Sequence, residues 1–212
     1  MRFSLNGFLY QMFIDPLISH LHMSVIAHIK PSDSVLDVAC GTGALSMAMA
    51  KTARHVTGID LSEDMIVTAQ RAARRKDLKN VLFDLHDASD LSSYADHEFE
   101  VAVTSMAVHQ FDADVAVKIL SEMKRIARRV IIVDYSHHML PGLPKTIAWA
   151  LERWAGGDHY RNFRIYMQKG GIPWFAREAG LIIEGEEVRS GGVFLIARCI
   201  ENDADRDDGA RV

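Results

Sequence analysis

The sequence predicts an open, doubly wound α/β sheet of five parallel strands, closed by an antiparallel terminal hairpin. Three observations carry that expectation. Short apolar runs alternate with helix-period segments, which implies parallel pairing with right-handed crossovers. The run Val35–Ala39 collapses into a bend bracketed by Gly41 and Gly43, and an amphipathic stretch, Ala44 to Arg54, follows at once. Strand, glycine turn and helix in that order build a ligand pocket at the carboxyl edge of such a sheet. Finally, only Arg189, Ser190 and Gly191 separate the last two apolar runs, too few residues for a crossover.

The elements follow in order. Residues 1–30 read as an N-terminal helical cap, with Phe8, Leu9, Met12, Phe13, Leu17, Ile18 and Leu21 as an apolar stripe at helical spacing. Strands are expected at Val35–Ala39, His55–Ile59, Val81–Leu85, Phe99–Thr104 and Val130–Asp134. Ser62 caps a helix with Glu63 and Asp64 in its first turn and Met65, Ile66, Ala69 and Ala73 on one face. Asp112 or Asp114 opens another, whose stripe is Ile119, Leu120, Met123, Ile126 and Ala127. Residues 135–178 form an insertion between the fifth strand and the hairpin, which Leu181–Val188 and Gly192–Ile200 make. Residues 1–200 are thus expected to be one domain, and 201–212 a disordered acidic tail.

Composition limits the function classes. At 212 residues the chain can bury a substantial core, and 49% hydrophobic with 25% charged content is that of a globular domain. Of the net charge of −4, the last twelve residues hold five acids against two bases, so the body is near neutral. That argues against a nucleic-acid footprint, which needs a basic face. Basic residues such as Arg74, Arg75, Lys124 and Arg125 lie near predicted helix ends, the favoured end for cations. Cys40 and Cys199 read as buried apolar thiols in a reducing compartment. Asp15 and Pro16 interrupt the N-terminal apolar run, and no stretch reaches the roughly 18 apolar residues of a membrane span. The protein is expected to be cytoplasmic, without stable membrane insertion, and monomeric or homodimeric.

The stretch VLDVACGTG from Val35 to Gly43, followed by GID at Gly58 to Asp60, resembles the fingerprint of class I S-adenosylmethionine-dependent methyltransferases. The N-terminal FLYQMFIDPL is similar to the opening of the ubiquinone/menaquinone-type group. The resemblance implies a Rossmann-like seven-stranded sheet of order 3-2-1-4-5-7-6, with strand 7 antiparallel and helices on both faces. It implies S-adenosyl-L-methionine as cofactor and S-adenosyl-L-homocysteine as product. On the family's pattern, Asp37, Ala39, Gly41 and Gly43 lie against the methionine part, and Asp60 takes both ribose hydroxyls. A carboxylate suits that task because it accepts twice and leaves no donor unpaired. Leu61 and Met65 flank the adenine, Asp87 accepts from its amino group beside Ala88, Ser105 lies in the loop beneath the methyl, and Tyr10 closes over the cofactor.

The chemistry expected is an in-line displacement that needs proximity and desolvation more than covalent help. His109, after the fourth strand, is the candidate base, required only if the acceptor must lose a proton. Tyr135, His137, Tyr160, Arg161 and Arg164 are candidate contacts to a small-molecule acceptor, with Trp149, Trp154, Phe163 and Tyr166 as apolar walls. No metal is expected, because nothing has convincing ligand spacing with His137 and Asp134 does not complete an acidic set. Other methylation classes leave marks that are missing, such as an Asn/Asp-Pro-Pro-aromatic motif where this chain has TSMAVHQF. Two rivals remain open: a nicotinamide-dependent oxidoreductase on the same sheet, and a protein that binds the cofactor without transferring a methyl.

Overall fold

A computed structural model describes residues 21–201. The expected N-terminal stripe up to Ile18, Tyr10, and the tail beyond Glu201 lie outside the described residues. Residues 21–26 are helical. Seven strands follow: β1 (Ser34–Val38), β2 (His55–Asp60), β3 (Val81–Leu85), β4 (Phe99–Ser105), β5 (Ala127–Tyr135), β6 (Leu181–Arg189) and β7 (Phe194–Glu201). They form one sheet in the order β3-β2-β1-β4-β5-β7-β6, as the family resemblance implied. β1 to β5 pair in parallel, and β7 runs antiparallel to both β5 and β6. β6 carries a bulge between Ile183 and Gly185.

The helices are α1 (Ala44–Met49), α2 (Glu63–Arg75), α3 (Ala113–Ile126), α4 (Leu143–Ala155), α5 (Gly157–Lys169) and α6 (Ile172–Glu178). The central strands explain the layers. Consecutive residues Val101, Ala102 and Val103 of β4, and Val130 to Val133 of β5, are all buried, so both faces of the sheet are covered. α1 and α2 pack on the β2 side, and α3 and α6 on the β4–β7 side. On α2, Met65, Ile66, Ala69 and Ala73 face inward as the 3.6-residue period requires, and the Ser62 hydroxyl accepts from Met65 N–H at 3.5 Å. Asp112 opens α3.

Several boundaries differ from the sequence expectation. The helix expected to reach Arg54 ends at Met49, because the chain must turn to place His55 beside Ser34; Arg54 N–H donates to the Asp33 carbonyl at 2.9 Å. Ala127 does not extend the α3 stripe but starts β5 in extended conformation, with no loop between. Arg128 and Arg129, outside the expected strand Val130–Asp134, belong to β5; the Arg129 guanidinium pairs with Asp33 and the His28 carbonyl at the sheet's amino edge. Glu201 is not tail but the last residue of β7, opposite Leu181.

The bend after β1 is tightly packed. Gly41 (φ 54°) and Gly43 (φ 74°) are left-handed, and so is Ala39 (φ 58°), where a side chain costs about 1–2 kcal/mol. A Cβ at Gly43 would fall 2.5 Å from Phe83 Cζ and 2.9 Å from Ala69 Cβ. Gly43→Ala therefore combines overpacking with backbone strain and is expected to cost about 2–4 kcal/mol. Ala39→Gly relieves strain in excess of the entropy it restores to the unfolded chain, a gain of roughly 0.5–1 kcal/mol. Thermal unfolding of the two variants should move in opposite directions; a Gly43→Ala melting point equal to wild type would refute the packing account.

Candidate functional site

The carboxyl ends of β3, β2, β1, β4 and β5 lie in that order along one edge, and the chain switches direction between β1 and β4. Open α/β sheets bind ligands at such a switch. Three loops are stitched together there by backbone bonds: Cys40 N–H donates to the Ile59 carbonyl at 2.9 Å, and His86 N–H to that of Asp60 at 3.0 Å. The buried Asp60 carboxylate accepts from Gly41 N–H and from Ser62 N–H, each at 2.9 Å. Burial raises its pKa, opposed by backbone donors from Ser62, Gly41 and Leu61. Asp37, inside β1, accepts from the Ser46 hydroxyl, which explains how an acid is tolerated in a buried strand.

The other expected cofactor residues spread along this edge. Leu61, beside Asp60, is 54% exposed, an apolar surface at the lip, whereas Met65 is buried on the inner face of α2. Asp87 is exposed just beyond β3, its carboxyl held low by the Ser89 N–H and hydroxyl. Ala88 is half-buried next to it, and Ser105 ends β4, also half-buried.

Beyond β4 the chain makes a 3-10 turn, Val108–Gln110, and places His109 in a closed polar cluster. His109 is 1% exposed. Its Nδ1 lies 2.6 Å from Asp134, which also accepts from the backbone N–H of His109 (3.1 Å) and Tyr135 (2.7 Å). Its Nε2 lies 3.6 Å from Glu152 Oε1 and has no hydrogen-bond partner among the described residues. Glu152, fully buried on α4, accepts from the Tyr135 hydroxyl at 2.8 Å and lies 2.6 Å from His159 Nε2 on α5. Burial works against charge on His109, yet Asp134 and Glu152 together outweigh it and raise its pKa. Rings of Tyr135, Phe163 and Tyr166 surround it at 4.9–6.2 Å.

The expected acceptor contacts do not converge. Tyr135 is inside the cluster just described. Tyr160, Arg161 and Arg164 line a concavity of about 320 Å3 on α5, with Gly157, Ile165 and Gln168. Arg161 is engaged there by Asp112 at 3.1 Å and Asp158 at 2.9 Å. His137 lies against His138, their rings tilted by 44° with centroids 3.7 Å apart, and burial followed by that neighbour lowers its pKa. Of the expected apolar walls, Phe163 and Tyr166 are buried and Trp149 packs edge-on against Phe163 at 5.0 Å, but Trp154 points to solvent. The free thiols are poor nucleophiles: burial, then Asp37 and Asp60, pushes Cys40 well up, and burial pushes Cys199 up to about 12.

Glu152 escaped the sequence reading because an acid in TIAWALERWA reads as the solvent side of a helix. Its signal is positional: Glu152 stands four residues after Ala148, on the face that α4 buries. Asn162, whose amide donates to the Gln110 carbonyl at 2.9 Å, and the Tyr166 hydroxyl also fasten α5 to the loop beyond β4 and the end of β5.

Residues 35–129 match a family model described as a methyltransferase domain. Over 117 residues the chain is 32% identical to the ubiquinone/menaquinone biosynthesis C-methyltransferase UbiE of Bdellovibrio bacteriovorus, covering 53% of this chain and 48% of that one. It is also 32% identical over 103 residues to the ribosomal protein L11 methyltransferase of Thermotoga petrophila, covering 48% and 36% respectively. The match thus spans about half or less of these relatives' length. In fold, a SAM dependent methyltransferase from Aquifex aeolicus superposes with TM-score 0.67 at 18% identity, over 95% of this chain and 100% of that chain. Magnesium protoporphyrin IX methyltransferase from Synechocystis PCC 6803 with bound SAH gives 0.62 at 17%, over 95% and 90%.

The rigidity of the cluster's wall can be checked. The buried Tyr166 hydroxyl donates to the Tyr135 carbonyl at 2.7 Å and accepts from Ile172 N–H at 3.1 Å. Tyr166→Phe removes both bonds and leaves the buried Ile172 N–H without this acceptor, an expected loss of about 1–3 kcal/mol in urea unfolding. A difference within measurement error would show that the two bonds hold nothing in place.

Proposed function

This chain carries a class I S-adenosylmethionine-dependent methyltransferase domain, and from that premise we propose that it transfers a methyl group to a small-molecule acceptor. The observation that carries the reading is Asp60, a buried carboxylate held at the sheet's switch point by Gly41 and Ser62 N–H groups. Its raised pKa reflects desolvation. A vicinal diol donating two hydrogen bonds answers that desolvation, and the exposed Leu61 beside it offers an apolar face to a base. The residues present therefore fit the nucleoside end of the cofactor, with Asp87 and Ala88 at the far end of the same edge.

The cofactor supplies an activated methyl on a sulfonium. The chain's part is to bind, orient and exclude water, which suffices for an in-line displacement on a nucleophilic acceptor. His109 was put forward as a base; with its ring clamped by Asp134 and 1% exposed, it is better suited to shaping the floor under the loop. Arg164 and Tyr160 on the α5 concavity remain the proposed acceptor contacts, with α4 and α5 as the cap. The small-molecule reading is supported by the quinone-pathway and magnesium protoporphyrin IX relatives, while the ribosomal protein L11 relative shows that acceptors diverge among similar sequences. No helix among the described residues is long and apolar enough to cross a membrane; cytoplasmic residence belongs to the same proposal.

Isothermal titration with S-adenosylhomocysteine and with NADH tests this directly, and only the former should bind. Asp60→Asn presents amide hydrogens to backbone donors and to the diol alike, so S-adenosylhomocysteine affinity should fall at least about tenfold. Binding of NADH instead would establish the oxidoreductase reading. Tight cofactor binding with no methyl transferred across a broad acceptor panel would establish the regulatory one.

A further inference from the structure

We propose that His109, Glu152 and His159 form a binding site for one divalent transition-metal ion of the zinc type. This revises the expectation of no metal, which considered ligand spacing around His137 and not this cluster. The proposal is independent of the methyltransferase reading.

Three observations converge on it. One ligand atom from each of the three residues lies within 4.8 Å of the others, a two-histidine, one-carboxylate donor set that suits zinc and neighbouring divalent ions. The second concerns His109. Its Nδ1 is committed to Asp134, which is itself fixed by two backbone N–H groups, so Nε2 is the ring nitrogen turned toward Glu152. A metal-bound histidine is oriented in this way, its other ring nitrogen donating to a carboxylate. That Nε2 is buried, has no hydrogen-bond partner among the described residues, and stands 3.6 Å from Glu152, beyond hydrogen-bond reach. Third, the Glu152 carboxylate is held from behind by the Tyr135 hydroxyl, and aromatic rings enclose His109, giving a dry and rigid surround.

The competing account is a closed cluster of hydrogen bonds and charges. It explains the 2.6 Å contact between Glu152 and His159 and the attraction of His109 to Glu152, but it leaves the buried His109 Nε2 without a hydrogen bond. With the ion bound, that contact gives way to two metal–ligand bonds, and the protons displaced leave to solvent. The ligands come from three separate elements, the turn after β4, α4 and α5. The ion would therefore tie the cap helices to the sheet through three ligands among the described residues. His159, the one ligand with appreciable exposure, marks the route by which the ion arrives.

The whole chain, stripped of metal with a chelator and dialysed, would be titrated with Zn2+ by calorimetry and with Co2+ by visible absorption. The expected result is one equivalent per chain and Co2+ bands of four- or five-coordinate nitrogen–oxygen ligation. Zn2+ at about a hundredfold excess over Kd should raise the melting temperature by roughly 5–10 °C. His159→Gln, at the open side of the cluster, should weaken binding at least about tenfold, whereas His138→Gln, on an exposed residue outside it, should not. Should either variant misfold, long-range 1H–15N spectra of the wild type decide: Zn2+ must shift His109 Nε2. Absent or substoichiometric binding, binding that His159→Gln leaves intact, or an unmoved His109 Nε2 would each overturn the proposal.

Discussion

A carboxylate buried at the end of a central strand must be met by donors, and Asp134 meets this condition by ordering everything around it. It draws in the backbone of His109 and Tyr135 and fixes the imidazole of His109. A buried charge stripped of one partner is strongly destabilising, so the turn after β4 and the end of β5 are constrained together. The cap depends on that pair. Tyr135, held by its own N–H, presents its hydroxyl to Glu152 on α4, and its carbonyl takes the Tyr166 hydroxyl from α5. Four elements, the turn after β4, β5, α4 and α5, thus share one polar centre.

The other half of the edge is organised by sterics. Phe83 of β3 fills the space that side chains at Gly43 and Gly58 would occupy, so the bend after β1 can lie close against β2. That closeness brings Gly41 N–H onto Asp60. The glycines and the acid therefore work as one unit. Ala39 bears a left-handed backbone within this unit, a local strain accepted where the loop must turn sharply.

Much of this was legible from residue pattern. The seven strands announce themselves as apolar runs, Ser62 marks the start of α2, and the short Arg189–Gly191 link leaves a hairpin as the sole option. Strand order came from family resemblance, because alternation of elements does not say on which side a strand inserts. The polar centre was not legible. Whether His109 faces a ligand or a carboxylate is settled by Asp134, twenty-five residues away, and by Glu152 and His159 on helices whose packing no local period encodes. Trp154 misled for the same reason: aromatic residues on α4 suggest a wall, but the helix turns Ala148 and Glu152 inward and that ring out.

The bulge at Gly185 also bears on how molecules of this protein meet one another. β6 is the outermost strand on its side, so one row of its peptide groups has no neighbouring strand within the sheet. Glu184, within the irregularity, and Glu186, just beyond it, are exposed. A second chain seeking to extend the sheet there would meet a kinked register and two negative charges, which repel another copy bearing the same pair. One open margin of the sheet is in this way made inhospitable to fibrous self-association.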